Sequence, residues 1–182
     1  TNPSFCLTGV QRTINRRHIM AQKTKAANPG TIYITFGLVA AVSLIMSTFI
    51  GTGLAIWYPS LDKPELTLAL PFTFMIRIFL AVMFGFLLYY TYGCAETIRE
   101  KWYGFFYSFL VFFLNELFYV LFFSLKSPLF YFITECVLAI ASIGLFIFLI
   151  QYNRKAIWCF VPYLLWLCYQ IPWTFTLWQL NA

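Results

Sequence analysis

The side chains with the most chemical potential in this sequence are a few polar groups inside long apolar runs. Asn115 and Glu116 stand side by side within FFLNELFYVLFF, and Arg77 and Glu135 interrupt two other apolar stretches. A charge among apolar residues costs free energy unless it is paired, so such groups commonly hold helices together, carry protons or bind a ligand. These four residues are the first candidates for a functional site.

The composition indicates what surrounds these groups. Apolar and aromatic residues make up 62% of the 182 residues, and the mean hydropathy is +0.78, whereas about half of the residues of a soluble domain are apolar. The sequence is therefore that of an integral membrane protein. Its formal charge of +6 does not form a soluble basic face, so we expect no nucleic-acid partner.

Five apolar windows predict an all-α bundle of five transmembrane helices, because one crossing of the bilayer takes roughly 20 apolar residues. Breaking residues, charged loops and interfacial aromatics delimit the windows. The predicted helices are Thr31–Trp57, Leu66–Tyr92, Trp102–Ser124, Leu129–Gln151 and Ala156–Trp178. The chain thus divides into a basic polar tail, residues 1–30, which has a short stretch of amphipathic character, and a transmembrane domain, residues 31–182.

Basic residues lie mostly on one side of this predicted bundle. The tail carries five Lys or Arg and no acid, and its side of the membrane holds nine basic residues against two, Lys63 and Lys126, on the other. The positive-inside rule therefore predicts an N-terminus in the cytoplasm or the mitochondrial matrix. An Arg-rich, acid-free start is typical of mitochondrial targeting, and a first residue of Thr rather than Met indicates either a processed or an incompletely known start. A solvated basic tail is the alternative interpretation.

The intramembrane charges are expected at one depth. At a rise of about 1.5 Å per residue, Arg77, Glu116 and Glu135 all lie roughly 9–16 Å below the less basic surface. Pairing Arg77 with Glu116 or with Glu135 is the economical arrangement, and Asn115 could donate to either carboxylate. Two interpretations stay open: a structural clasp between helices, or carboxylates that carry protons or bind a ligand.

Other kinds of site have little support in the sequence. The five cysteines are scattered without C-x-x-C spacing, and the single histidine, His18, lies in the tail, so no metal site is expected. Neither a phosphate-binding glycine loop nor a local signature of a catalytic triad occurs. We therefore expect no catalytic residues and no enzymatic activity.

Short motifs recur in a consistent order between residues 33 and 182. They are Trp57-Tyr58 with Leu61 and Lys63-Pro64, then Gly85, Leu114-Asn115 with Phe122-Phe123, Pro162 to Trp166, and Trp178 with Asn181. Together these resemble the translocator protein family, also called tryptophan-rich sensory proteins or peripheral benzodiazepine receptors. The resemblance implies a five-helix fold and a pocket that takes tetrapyrroles, sterols or benzodiazepine-type drugs.

The sequence departs from the family pattern where that pocket is expected. The family's W-x-P-P falls on residues 66–69, its helix-two tryptophan on Arg77, its helix-three tryptophan on Phe118 and its helix-five asparagine on Thr174. Much of the aromatic lining is therefore replaced, at one position by a charge. The candidate residues of a charge cluster or ligand pocket are Arg77, Asn115, Glu116, Glu135, Phe118 and Trp166.

Two functional hypotheses follow. In the favoured one, the chain is a non-enzymatic accessory or structural subunit of a larger respiratory-type complex of the mitochondrial inner membrane, in contact with lipids and other membrane-protein subunits and without a cofactor. The altered pocket, the charge cluster and a tail that is expected to gain order on a partner favour it. In the alternative, the bundle binds, transports or senses a lipophilic ligand such as a tetrapyrrole, a sterol or a lipid, with Asn115, Glu116 and Glu135 as its polar groups.

Overall fold

Five long helices make up most of the part of the chain that the structure describes. The computed structural model describes residues 29–51, 53–93, 98–152 and 154–182. Within these ranges the helices are α1 Pro29–Ser47, α2 Leu70–Gly93, α3 Ile98–Leu125, α4 Pro128–Tyr152 and α5 Arg154–Leu180. Each is long and apolar enough to cross a membrane. The prediction of an all-α bundle with five spans is confirmed, while the predicted basic tail lies, except for its last two residues, outside the described part.

Four of the helices form a closed ring. Going around it, α2 contacts α3, α3 contacts α4, α4 contacts α5, and α5 packs back on α2, while α1 lies against α2 and α3. The core between the ring helices consists of fully buried apolar side chains, among them Phe84, Leu87, Phe112, Leu145 and Phe160. Large apolar side chains also cover the outer surface, as expected of a bundle in lipid.

The first helix ends at Ser47, so the prediction of a helix that continues to Trp57 was wrong. The hydroxyls of Ser47 and Thr48 each donate to a backbone carbonyl three residues earlier, both at 2.7 Å. Such bonds compete with the helical pattern and favour its end. The chain then turns and forms a short π-helical segment, Gly53–Trp57, followed by a single 3-10 turn, Tyr58–Ser60.

Helix α2 begins at Leu70, whereas the sequence predicted a start at Leu66. Pro71 explains the difference, because proline is tolerated in the first turn of a helix but deeper inside would clash with the carbonyl four residues earlier. Residues 64–67 form a separate turn instead. There, the backbone N–H and the hydroxyl of Thr67 both donate to the carbonyl of Pro64, at 3.0 and 2.6 Å.

The turn between α3 and α4 contains Lys126, the one non-glycine residue with positive φ (52°) among those described. Its N–H donates to the Phe122 carbonyl at 3.1 Å, the geometry in which helices usually end on glycine. Lys126→Gly should therefore raise the free energy of unfolding by about 1 kcal/mol, because glycine has no Cβ to disfavour this conformation. Lys126→Ala removes the same side chain but keeps the Cβ, and it should bring no such gain in a denaturation experiment in detergent micelles. Equal stability of the two variants would refute the explanation.

Candidate functional site

The polar intramembrane residues meet around two adjoining cavities inside the ring. The cavities have volumes of about 30 and 40 Å³, which is space for a few water molecules and far less than a drug-sized ligand occupies. Both are lined by Thr73 of α2, Tyr119 of α3, Tyr131 of α4, and Trp166 and Gln170 of α5. The site is thus enclosed by all four ring helices.

Helical spacing turns these side chains toward one another. Residues three or four positions apart lie on the same face of a helix, and each ring helix contributes such a pair to the site or its border. The pairs are Thr73 with Arg77, Glu116 with Tyr119, Tyr131 with Glu135, and Trp166 with Gln170. A polar stripe one turn long on each helix therefore faces the interior.

A buried ion pair joins α2 to α3 at this level. The Arg77 guanidinium donates through Nη2 to Oε2 of Glu116 at 2.8 Å, and the two side chains are only 19% and 7% exposed. The guanidinium carbon also lies 3.4 Å from the centre of the Tyr119 ring, a distance that gives a strong cation–π contact. Both contacts hold the cation inside the bundle and away from the acyl chains.

Asn115 extends this network toward α5. Its Nδ2 faces Oε1 of Glu116 at 3.5 Å, the outer limit of a hydrogen bond, and its Oδ1 accepts a bond from the Tyr163 hydroxyl at 3.3 Å. Tyr163 itself is buried in the core. The charged pair and the two neutral groups therefore connect α2, α3 and α5 at a single depth.

Glu135 of α4 is placed differently from Glu116. It is 3% exposed, and its Oε2 has no hydrogen-bond partner among the described residues. The polar side chain that reaches its carboxyl is Tyr131, one turn earlier on the same helix. Tyr131 in turn accepts a hydrogen bond from Nε2 of Gln170 at 3.1 Å. Of the two acids expected to pair with Arg77, only Glu116 does so.

The loop between the π-helical segment and α2 closes the cavities from one end. Asn181 holds it through two bonds to the backbone of Asp62, at 3.0 and 2.8 Å. The Tyr169 hydroxyl donates to a loop carbonyl at 3.0 Å, and the indole N–H of Trp173 donates to the Thr67 hydroxyl at 2.9 Å. These bonds from the C-terminal half of α5 and from the residue that follows it fix the loop over the site.

Tyr58 borders the larger cavity from the same end. Burial raises the pKa of Tyr58 above its usual value, and the neighbouring Tyr119 and Tyr169 add to the increase. Lys63 lies over its ring, with Nζ 5.0 Å from the ring centre. The Tyr58 hydroxyl therefore stays protonated, and the ring closes the cavity between the loop and α3.

The structure brings four of the six sequence candidates into one site. Arg77, Asn115, Glu116 and Trp166 line the smaller cavity. Glu135 lines neither cavity, although Tyr131 lines both. Phe118 packs against the main core and likewise lines neither. The sequence reasoning did not single out Tyr119, Tyr131 and Gln170, although each lies one helical turn from a candidate.

The fold and the site define a class of protein: a membrane protein whose helices enclose two small cavities, bordered by polar and aromatic side chains, under a loop fixed by hydrogen bonds. The sequence profile of the TspO/MBR family matches residues 34–179. The chain therefore belongs to the TspO/MBR family, which confirms the resemblance drawn from its motifs. A comparison with individual curated proteins finds no match. In the ranges that the structure describes, no three His, Cys, Asp or Glu side chains group as metal ligands would.

Proposed function

We propose that this TspO/MBR family member is a non-enzymatic accessory or structural subunit of a larger, respiratory-type complex of the mitochondrial inner membrane. The observation that carries the proposal is the ion pair of Arg77 with Glu116. Together with the Tyr119 ring beneath the guanidinium, it takes up the interior space in which a ligand would lie. The interior of the bundle is therefore filled and held together by non-covalent contacts between its own side chains.

The free-energy cost of making room for a ligand favours a structural role over a ligand site. A ligand larger than a few waters must displace the Arg77–Glu116 pair or push the helices apart, because the cavities hold only about 30 and 40 Å³. Breaking a buried ion pair costs about 3–5 kcal/mol, and every 1.4 kcal/mol is about tenfold in affinity. The affinity for a ligand that must first break this pair is therefore lower by about a hundredfold or more.

The outer surface and the charges near the helix ends support the proposed location in the inner membrane and the proposed contacts with lipids and other membrane subunits. Large apolar side chains cover the outside of the bundle and suit lipid or other membrane subunits. Lys63 and Lys126 lie at one end of the helices, whereas the first turns of α3 and α5 at the other end carry four basic residues, Arg99, Lys101, Arg154 and Lys155. Together with the basic tail, this asymmetry supports an N-terminus on the matrix side of the inner membrane.

Extraction of the protein from its native membrane tests the proposed role. In a mild detergent, native electrophoresis followed by mass spectrometry should find the chain in a complex with other integral membrane subunits. The same complex should appear at several detergent-to-protein ratios, which controls for incomplete solubilisation. A monodisperse monomer or dimer that binds a porphyrin or a sterol would contradict the proposal.

A lipophilic-ligand binder is the second candidate function. The observation that favours it is the loop over the cavities, held to α5 by Tyr169, Trp173 and Asn181, because a closing loop suits a pocket that opens. A porphyrin or sterol titrated into the purified protein distinguishes the two functions. Saturable binding would support the second function if Trp166→Leu weakens it. Trp158→Leu, which changes an exposed tryptophan on the same helix, is the control and should leave binding unchanged.

A further inference from the structure

The carboxyl of Glu135 lacks the stabilisation that an ionised group needs at this depth. It is 3% exposed, and Oε2 has no partner in the described part of the chain. Within the described ranges Glu135 forms no ion pair, and the nearby Arg77 guanidinium is paired with Glu116. A buried carboxylate without a counter-charge takes up a proton instead, because the neutral acid is far less costly to bury.

The groups that face Glu135 oppose this proton uptake but do not outweigh the effect of burial. Arg77 from α2 and Tyr131 from its own helix favour the ionised carboxylate, and Tyr163 from α5 interacts with both Glu135 and Glu116. Arg77 and Glu116 neutralise each other, and the two tyrosines are neutral. With Glu135 ionised, the charges at this level of the bundle would sum to minus one, and with Glu135 protonated they sum to zero.

A proton also fits the site better than a larger cation does. A metal ion would need several ligands, and in the described ranges no third acid, cysteine or histidine joins the two glutamates. An organic amine would need room next to the carboxyl, but Glu135 lines neither cavity. A proton needs only the carboxyl oxygen and a route to water.

Tyr131 lies on such a route. It lines both cavities, which have space for a few waters, and its side chain reaches Glu135. Because its oxygen already accepts a bond from Gln170, the hydroxyl hydrogen of Tyr131 is free to point toward the carboxyl. Water in the cavities and this hydroxyl together connect Glu135 to the end of the bundle that carries the loop.

We propose that Glu135 is a proton-binding site that holds one exchangeable proton at neutral pH, and that this proton exchanges with water through the cavities and the Tyr131 hydroxyl. In the binding step a hydronium ion gives its proton to the carboxylate, leaving a carboxylic acid and a water molecule, and no other bond changes. This site is independent of the proposed subunit role, because it requires only the folded bundle.

Infrared spectroscopy of the full chain in lipid vesicles tests the assignment. At neutral pH the wild type should show the carbonyl band of a protonated carboxyl group. Glu135→Gln, which keeps the size and neutrality of the acid, should lose this band and keep the thermal stability of the wild type. Glu65→Gln, at an exposed position of the loop before α2, is the matched control and should keep both the band and the stability of the wild type.

The route is tested by transfer into D₂O. The band should shift as the proton exchanges, and Tyr131→Phe should slow the shift several-fold without abolishing the band. A band that survives in Glu135→Gln, or that is absent from the wild type, would overturn the proton site. An unchanged exchange rate in Tyr131→Phe would overturn the route through this hydroxyl.

Discussion

Replacing Arg77 with leucine is expected to lower the free energy of unfolding by about 3 kcal/mol, at the low end of the cost of breaking a buried ion pair. The substitution removes the cation and leaves Glu116, whose side chain is 7% exposed, without its partner. Chemical denaturation in mixed micelles measures the change. Arg99→Leu, at an exposed position near the start of α3, is the matched control and should change stability by less than about 0.5 kcal/mol.

The ion pair and the aromatic contact of Arg77 can be separated. Tyr119→Leu removes the ring under the guanidinium but leaves the pair with Glu116 intact. A desolvated cation–π contact contributes about 2 kcal/mol, so this variant should lose less stability than Arg77→Leu. A larger loss in Tyr119→Leu would mean that stacking, and not the ion pair, holds Arg77 inside the bundle.

Gly53→Ala is expected to have the second large effect, a loss of about 1–3 kcal/mol, which is the usual cost of overpacking. An added Cβ at Gly53 would lie 2.6 Å from the backbone oxygen and 2.7 Å from the Cβ of Phe123 on α3. Because a helix backbone cannot rotate away as a side chain can, the π-helical segment must move off α3. Thermal unfolding in micelles measures the loss.

Gly51→Ala is the matched control, since it lies two residues earlier and an added Cβ there has no atom within 4 Å. It should leave stability nearly unchanged. Movement of the π-helical segment should also loosen the ring contacts that follow it, Trp57 with Phe122 at 5.1 Å and Tyr58 with Phe123 at 6.0 Å, which tryptophan fluorescence can follow. Equal losses in the two glycine variants would contradict the explanation by close approach.

The five spans could be predicted from the sequence because hydrocarbon allows a chain little else. Every backbone polar group must be paired within the lipid, so a long apolar run there becomes a helix. The last residue of α1 and the first residue of α2 were harder to predict. The first depends on hydroxyl bonds at Ser47 and Thr48 and on the contact of Gly53 with α3, none of which changes the hydropathy. The second depends on Pro71, which is itself apolar.

The candidate site was only partly predictable for a related reason. Charges among apolar residues stand out, so Arg77, Glu116 and Glu135 were found from the sequence. Depth alone cannot tell which acid pairs with the arginine, because the choice depends on how each helix is rotated about its axis. Tyr119 and Tyr131 gave no signal, because aromatics make up 22% of the chain and the local sequence does not distinguish these two from the others.

A double-mutant cycle of Arg77→Leu and Glu116→Leu tests most directly whether this pair holds the bundle together. Each single variant should lose about 3 kcal/mol, because each leaves one buried charge unpaired, whereas the double variant replaces the pair by apolar side chains and should be close to the wild type. The expected coupling, which is the sum of the two single losses less the loss in the double variant, is therefore about 6 kcal/mol. Single losses that simply add in the double variant would contradict the account.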